Sequence, residues 1–225
     1  ECSINPRLGR EYLYKTPVKD GNGRPIVVVG GGPGGMDAAM VLAERGFEVT
    51  LIEKKNTLGG TLNTADKAKG KYVITDYVKT LKKLIEKSGV NVVLNTEAAP
   101  ELVKKYNPVG VFIASGAVPV HPSIKGADNK NVYKPEDILL NKAKLSGRVA
   151  VVGTGLTGLE VLEKLGDEGC QLVMVEMLDD IGPGVFPPVR KYIVSDILSH
   201  NTESYVSSKL MEIKDGSIII ENIKD

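Results

Sequence analysis

The sequence has few cysteines, no long apolar run and almost no net charge, and each absence argues against a class of protein. Cys2 and Cys170 are its only cysteines and lie far apart, so they form no disulfide framework. Their scarcity favours a cytoplasmic location, where thiols stay reduced. No run approaches the roughly 18–20 apolar residues of a membrane span, and no signal peptide is visible. The net charge of +1 gives no reason to expect a nucleic-acid partner.

What the sequence does contain is enough for a core. Its 225 residues are 42% hydrophobic and 25% charged, which suits one large domain or two small ones. The composition leaves open whether the chain forms an oligomer. The chain starts at Glu1 rather than at Met, and we expect it to be cut from a longer protein.

Strand-like and helix-like segments alternate along the chain, which predicts an α/β fold with parallel sheets and right-handed crossovers. The first half has strands at 25–30, 48–54, 90–96 and 110–115, and helices at 34–46, 76–89 and near 99–106. A Pro-, Gly- and Lys-containing crossover interrupts the pattern, which restarts with strands at 148–153 and 171–177 and helices at 156–169 and about 188–200. The stretch "SYVSSKLMEIKDGSIIIENI" (204–223) predicts paired strands around the turn "KDGS".

The two halves are one pattern written twice. "VVVGGGPGGMDAAMVLAERGFEVTLIE" (27–53) aligns without a gap with "AVVGTGLTGLEVLEKLGDEGCQLVMVE" (150–176). The matched pairs are Gly30 and Gly153, Gly32 and Gly155, Gly35 and Gly158, and Glu53 and Glu176. Each half therefore reads strand, G-x-G-x-x-G, helix, strand and acid, the arrangement of a Rossmann-like βαβ unit.

This arrangement has a chemical purpose. The three glycines permit a tight turn, close approach of a pyrophosphate, and close packing of helix on strand, and the helix N-terminus favours the negative charge. The acid that ends the second strand can accept hydrogen bonds from ribose hydroxyls. One such motif alone is weak evidence and could be any glycine-rich turn. Two adjacent copies indicate a flavoprotein that passes a hydride between nicotinamide and flavin.

The first copy resembles the FAD fingerprint of the two-dinucleotide-binding flavoproteins. The resemblance implies that FAD contacts Gly30, Gly32, Pro33, Gly34, Gly35, Glu53, Gly59 and Gly60, with "LGG" following the flavin towards its ring. Lys54 could approach the adenine side of FAD, or could be a surface lysine. Ala114-Ser115-Gly116 resembles the second FAD signature, in which Thr is usual at the middle position.

The second copy resembles the NAD(P)H fingerprint of the same flavoproteins. The resemblance implies a nucleotide on Gly153, Gly155, Leu156, Thr157 and Gly158, with Glu160 near the nicotinamide. Glu176 would hold the ribose. The stretch "MLDDIG" after it contains no base, so we expect no base near this loop to compensate the repulsion between Glu176 and the 2′-phosphate of NADPH. The sequence therefore predicts a preference for NADH over NADPH.

"CSINPRLGRE" narrows the resemblance to NADH:flavin oxidoreductases related to 2,4-dienoyl-CoA reductase, enoate reductase and trimethylamine dehydrogenase. In these enzymes an upstream TIM barrel carries FMN, and Cys2 would match the last ligand of a [4Fe-4S] cluster. The resemblance implies a connecting arm (1–24), an FAD domain (25–118), a crossover (119–147) and an NAD(H) domain (148–225), with both domains truncated at the C-terminus.

The implied function is oxidation of NADH, with electrons passing through FAD and the cluster to FMN. The barrel would reduce an enoate- or enone-type substrate, or oxidise an amine. Two alternatives stay open. One is a stand-alone FAD-dependent pyridine nucleotide reductase, although no Cys-x-x-Cys or Cys-x4-Cys pair is present. The other is a non-catalytic nucleotide-binding module.

Overall fold

The computed structural model describes Cys2 and residues 4–5, 7–120 and 122–224, and these fall into two units. The first unit contains the chain up to Asp66 together with Tyr72–Val118. The second contains the short segment Lys67–Lys71 together with the chain from Pro119 onward. In the described part of the chain, no helix combines the length and the apolar character needed to cross a bilayer.

Four parallel strands form the sheet of the first unit, in the order β3-β2-β1-β4. The strands are β1 (Pro25–Val29), β2 (Glu48–Ile52), β3 (Asn91–Val93) and β4 (Gly110–Ile113). The helices are α1 (Pro33–Glu44), α2 (Leu62–Ala65), α3 (Tyr72–Lys87) and α4 (Pro100–Lys105), and a 3-10 turn spans Glu11–Tyr14. The sequence did not predict the 3-10 turn or α2, and α3 begins four residues before its predicted start.

The core of the first unit follows from the apolar run of β1. Val28 has no exposed surface and packs with Met36 of α1, Leu51 of β2 and Ile85 of α3. β3 is shorter than predicted because the chain turns at Asn95, whose N–H donates to the Lys55 carbonyl at 3.0 Å. At the opposite edge of this sheet from β3, strand β4 carries three exposed apolar side chains, Val111, Phe112 and Ile113.

The second unit repeats the design with a three-stranded parallel sheet, in the order β5-β6-β7, and a separate antiparallel hairpin. Its strands are β5 (Arg148–Val152), β6 (Gln171–Val175), β7 (Glu203–Tyr205), β8 (Ser208–Lys214) and β9 (Ser217–Asn222). Its helices are α5 (Pro135–Leu139), α6 (Leu156–Asp167) and α7 (Pro187–Ser199). The α/β class with two Rossmann-like parallel sheets is therefore confirmed.

The hairpin at the end of the chain is also confirmed, but it begins later than predicted. Residues 203–205 form β7 beside β6 instead of the start of the hairpin. The chain changes direction at Ser207, which has a φ of +49°. Cys170 precedes β6 and is buried, and its thiol donates to the Leu145 carbonyl at 3.6 Å, so it is a structural residue.

Candidate nucleotide-binding sites

The first glycine turn (residues 30–35) joins β1 to α1 so tightly that side chains are excluded. Gly30 has a φ of +105°, and its N–H donates to the Ile52 carbonyl at 2.8 Å. A Cβ atom at Gly30 would collide with the Ala114 carbonyl oxygen. A Cβ atom at Gly35 would collide with the carbonyl oxygen of Gly30. The predicted reasons for glycine at both positions are thus visible in the backbone.

The N-terminus of α1 presents backbone donors. Gly32 is the N-cap and Pro33 follows it at the first helical position. Among the described residues, no side chain caps this end and no acid lies in its first turn. Gly34 faces open space, because a Cβ atom on it would meet no heavy atom within 4 Å. The first N–H groups of α1 are therefore available to an anion such as a pyrophosphate.

Glu53 anchors the first glycine turn. Its carboxylate accepts hydrogen bonds from the N–H of Gly31 at 2.6 Å and the N–H of Lys55 at 2.8 Å. Gly31 was not among the predicted site residues. It lies directly against this carboxylate, since a Cβ there would be 3.1 Å from the Glu53 Oε2. A carboxylate has about four lone-pair positions. Glu53 can therefore hold the turn and still accept a ribose hydroxyl.

The "LGG" segment lies against the same turn. Gly59 has a φ of +118°, and its N–H donates to the Gly31 carbonyl at 2.8 Å. Gly60 lies so close that a Cβ on it would be 2.9 Å from the Gly32 Cα. A Cβ on Gly59 would instead meet the Asn63 side chain, so Gly59 contacts the turn through its N–H and Gly60 through its close approach to Gly32. The structure therefore brings both predicted residues to the turn.

The second predicted FAD signature reaches the turn through Ala114 and through the backbone of Ser115, whose Cα would lie 3.1 Å from a Cβ on Gly30. Ala114 follows β4, and its N–H donates to the Val29 carbonyl at 2.8 Å, which places its backbone against Gly30. Ser115 and Gly116 are exposed, and Gly116 has a φ of +72°. Lys54 is also exposed. The structure therefore brings Ala114 and the Ser115 backbone to the glycine turn, and it leaves Gly116 and Lys54 exposed without a contact of this kind.

The second glycine turn (residues 153–158) repeats this geometry. The N–H of Gly153 donates to the Val175 carbonyl at 2.8 Å, and a Cβ at Gly158 would collide with the Gly153 carbonyl oxygen. Gly155 is the N-cap of α6, again without a side-chain cap. Cβ positions at Gly153 and Gly155 meet no heavy atom within 4 Å. Leu156 and Thr157, in the first turn of α6, are exposed beside this opening.

Glu176 anchors the second turn as Glu53 anchors the first. Its Oε2 accepts hydrogen bonds from the N–H and the hydroxyl of Thr154, at 2.7 and 2.8 Å, and its Oε1 accepts one from the N–H of Leu178 at 2.9 Å. Burial alone would raise the pKa of Glu176, but the hydrogen bonds from Leu178 and Thr154 outweigh it and lower that pKa below its ordinary value. Glu176 is therefore a carboxylate acceptor at neutral pH.

The expectation that no base lies near the loop after Glu176 is wrong. Arg190, in the first turn of α7, forms an ion pair with Asp180, and its Nε donates to the Ile181 carbonyl at 2.5 Å. The sequence window was too short to show this, because the helix returns to the loop ten residues later. The predicted preference for NADH cannot rest on a missing base.

Glu160 has a partner that the sequence did not indicate. It is buried on α6, and its carboxylate forms an ion pair with Lys71, which belongs to the segment 67–71 of the second unit. Any nicotinamide contact by Glu160 would therefore involve a lysine–carboxylate pair rather than a lone acid.

Comparisons with known proteins identify the family of this chain. Residues 24–223 match the family model described as "Pyridine nucleotide-disulphide oxidoreductase". The chain belongs to this family. It is an FAD/NAD(P)-dependent oxidoreductase domain, and its Cys2 and Cys170 are too far apart in sequence to form the adjacent cysteine pair of a disulphide-reducing centre.

Individual relatives place the domain among larger enzymes. The chain is 39% identical over 197 residues to an NADH oxidase of Thermoanaerobacter brockii, covering 84% of the chain and 30% of that protein. It is 33% identical to a bilirubin reductase of Mediterraneibacter gnavus, covering 98% and 34%. It superposes on a 2-naphthoyl-CoA reductase with a TM-score of 0.89 at 30% identity, covering 99% and 34%. The chain thus spans about a third of the length of each of these three proteins.

Cys2 lies in the polar arm of this oxidoreductase domain. Hydrogen bonds from the backbone N–H groups of Ile4 and Asn5 lower the pKa of its thiol, which favours the thiolate. A thiolate is the form that ligates iron, but a [4Fe-4S] cluster needs four such ligands. The described residues of this chain provide one at this place, so no cluster fits within the chain alone.

One cluster of charged residues in the domain was not predicted at all. Glu163 is buried on α6, and nearby Lys69 forms ion pairs with Asp167 at 3.0 Å and Asp196 at 3.1 Å. Burial raises the pKa of Glu163 to about 7; Lys69 opposes the shift and the two aspartates add to it. His200 Nε2 lies 3.7 Å from Asp167. The only sequence signal was a Glu on the apolar side of a helix.

Proposed function

We propose that the first unit binds FAD, that the second binds NADH, and that the chain supports hydride transfer from NADH to FAD. The observation that carries the proposal is the repeated anchoring of a glycine turn by an acid. Glu53 holds Gly31 and Lys55, and Glu176 holds Thr154 and Leu178, at equivalent positions in both units. Two dinucleotide sites in one chain suit two redox cofactors.

The residues of the first unit suit a flavin dinucleotide. The N–H groups at the start of α1 would receive the pyrophosphate, and Glu53 would accept a hydrogen bond from the adenosine ribose. Gly59 and Gly60 leave room beside the turn for the ligand to pass. When bound, FAD would supply the chemistry of accepting a hydride, while these residues hold and orient it.

The residues of the second unit suit NADH. Gly153, Gly155 and Gly158 leave the start of α6 open to a pyrophosphate, and Glu176 would accept hydrogen bonds from the ribose. Glu160 and Lys71 would sit towards the nicotinamide end of the site. The pair can offer both a carboxylate acceptor and an ammonium donor to a carboxamide group.

The larger reaction rests on the resemblance and on the size of the relatives. We propose that Cys2 is the last ligand of a [4Fe-4S] cluster completed by upstream residues, and that an upstream FMN-carrying barrel reduces an enoate- or enone-type substrate or oxidises an amine. The cinnamate reductase of Clostridium sporogenes, 36% identical over 218 residues, supports the first of these substrate classes.

The test is anaerobic reduction of the full-length protein by NADH, followed at the flavin absorbance band. Gly158→Ala should retain FAD and lose rapid reduction, because the added Cβ meets the Gly153 carbonyl oxygen. Gly35→Ala should lose FAD itself. If NADH cannot reduce the bound FAD, the protein is a nucleotide-binding module instead, and the proposal is overturned.

The cluster has its own test in the full-length protein. Cys2→Ser should lower the iron content and stop electron transfer to FMN, while NADH still reduces FAD. Cys170→Ser is the matched control, because Cys170 is buried in the core of the second unit and its substitution should leave iron unchanged. Equal iron in wild type and Cys2→Ser would remove Cys2 from the ligand set.

A further inference from the structure

Arg190 is held on the loop that follows Glu176 by a neighbouring carboxylate. Its guanidinium forms an ion pair with Asp180, and its Nε donates to the Ile181 carbonyl at 2.5 Å. The Asp180 side chain is 69% exposed and that of Arg190 35%. The arginine is therefore accessible from solvent, but its charge is neutralised by an adjacent acid.

This pair lies beside the acid that would contact the ribose. The N–H of Gly182 donates to the Thr154 hydroxyl at 3.2 Å, and that hydroxyl donates to Glu176 at 2.8 Å. The Arg190 Cγ lies 3.2 Å from the position that a Cβ on Gly182 would take. A continuous set of contacts thus joins Arg190 to the carboxylate of Glu176.

We propose that Asp180 masks Arg190 and thereby makes the second site select a nucleotide without a 2′-phosphate. The inference rests on the proposed NADH site and adds the residue pair that decides its selectivity. In sites of this fold, an arginine at the end of the second strand accommodates the 2′-phosphate of NADPH. A guanidinium is the side chain best suited to bind a phosphate through two parallel hydrogen bonds.

The mask acts in two ways. Asp180 accepts from the Nη2 of Arg190, a donor that would otherwise be free to turn towards a phosphate, and its own negative charge adds to that of Glu176. Removal of the Asp180 charge should therefore release Arg190 and, at the same time, reduce the repulsion of the 2′-phosphate. The two effects are separable, because only the first requires Arg190.

Asp179 provides the matched control. It lies on the same loop, its carboxylate is 3.9 Å from the Lys224 ammonium, and its side chain is 74% exposed. Among the described residues, the ion pair of Arg190 is with Asp180 and not with Asp179. Asp179→Asn removes the same charge from the same loop without releasing the arginine. Any gain in NADP⁺ affinity in this variant measures only the reduced repulsion between the loop and the 2′-phosphate.

The experiment is isothermal titration calorimetry of the purified protein with NAD⁺ and NADP⁺, which reports binding without turnover. Wild type should prefer NAD⁺. Asp180→Asn should bind NADP⁺ about tenfold more tightly than wild type, with the NAD⁺ affinity changed by less than about threefold. Asp179→Asn should gain at most about threefold for NADP⁺. The double variant Asp180→Asn/Arg190→Gln should lose the gain, and unfolding midpoints check that each variant is folded.

Each other result has a definite meaning. An equal gain in Asp179→Asn, or a gain that persists without Arg190, overturns the masking. NAD⁺ binding by every variant with no gain for NADP⁺ also overturns it and leaves the proposed NADH site intact. Failure of the wild type to bind NAD⁺ overturns the proposed site and this inference together.

Discussion

Thr154 donates both its backbone N–H and its hydroxyl to the same carboxylate oxygen of Glu176, at 2.7 and 2.8 Å. In the first unit the equivalent residue is Gly31, which donates only its N–H to Glu53. The hydroxyl of Thr154 also accepts the N–H of Gly182 at 3.2 Å. The second turn is therefore fastened to the loop after β6 by a side chain that the first turn does not have.

The first prediction concerns this hydroxyl. Thr154→Val keeps the volume but leaves the buried Glu176 oxygen and the Gly182 N–H without the hydroxyl, which should lower the free energy of unfolding by about 1–3 kcal/mol. Thr154→Ser keeps the hydroxyl and should cost much less. Guanidinium denaturation of the three proteins at neutral pH measures the difference. Equal loss in both variants would assign the effect to the methyl group instead.

The second prediction is a pH dependence centred on Glu163. Its pKa is raised to about 7, so the folded protein binds a proton that the unfolded chain has released by about pH 5. The stabilising contribution of protonated Glu163 is fully present below about pH 4.5 and is lost as pH rises through 7. Glu163→Gln should therefore gain stability relative to wild type between pH 5 and pH 8, by about 3 kcal/mol at most.

The measurement is the free energy of unfolding of both proteins from pH 5 to pH 8. Glu168→Gln, on the same helix region but exposed, is the control and should run parallel to wild type. Parallel curves for Glu163→Gln and wild type would show that Lys69 keeps Glu163 charged throughout this range.

The third prediction compares two adjacent glycines of the first turn. Gly35→Ala forces a Cβ against the Gly30 carbonyl oxygen and should destabilise the first unit by several kcal/mol, on the order of 2–4. Gly34→Ala meets open space on a helix and should be neutral or stabilising by up to about 1 kcal/mol. Thermal unfolding distinguishes them. Tolerance of alanine at both positions would mean that α1 can move away from β1 at little cost.

The fourth prediction concerns the pair of Lys71 and Glu160. Lys71→Met leaves the buried carboxylate of Glu160 without its cation and should lower the free energy of unfolding by about 1–3 kcal/mol. Lys71→Met/Glu160→Gln removes the stranded charge and should recover most of that loss. Lys79→Met, whose partner Asp76 is exposed, is the control and should change little. No recovery in the double variant would mean that Lys71 acts through packing.

The sequence predicted the features that lie within each repeated strand–turn–helix–strand segment. The gapless match of 27–53 with 150–176 indicated both turns and both acids, because each motif lies within one strand–turn–helix–strand stretch. It did not indicate Lys71 or Arg190. Lys71 reaches Glu160 from a distant segment, and Arg190 reaches Asp180 only once α7 has folded back on its loop. Such contacts are set by tertiary packing, and no spacing in the sequence reports them.

Two residues that donate hydrogen bonds to the anchoring acids were also not predicted. Thr154 and Gly31 stand at the variable position of G-x-G, where the motif prescribes no residue, yet each donates to the anchoring acid. Ser204 and Tyr205 were assigned to the hairpin, within the predicted span 204–223, but they belong to β7. A parallel edge strand of three residues carries too little pattern to be distinguished from the start of the next strand.

The position of β4 at the edge of its sheet has a practical consequence for anyone who purifies this chain. Ile113 is 80% exposed, Val111 and Phe112 are also exposed, and in the described part of the chain no strand pairs with the outer edge of β4. An uncovered edge of this kind is a template for strand pairing between molecules. Solutions of the isolated chain should therefore self-associate as their concentration rises, and a lysine in place of Ile113 is the gatekeeper that should keep them monodisperse.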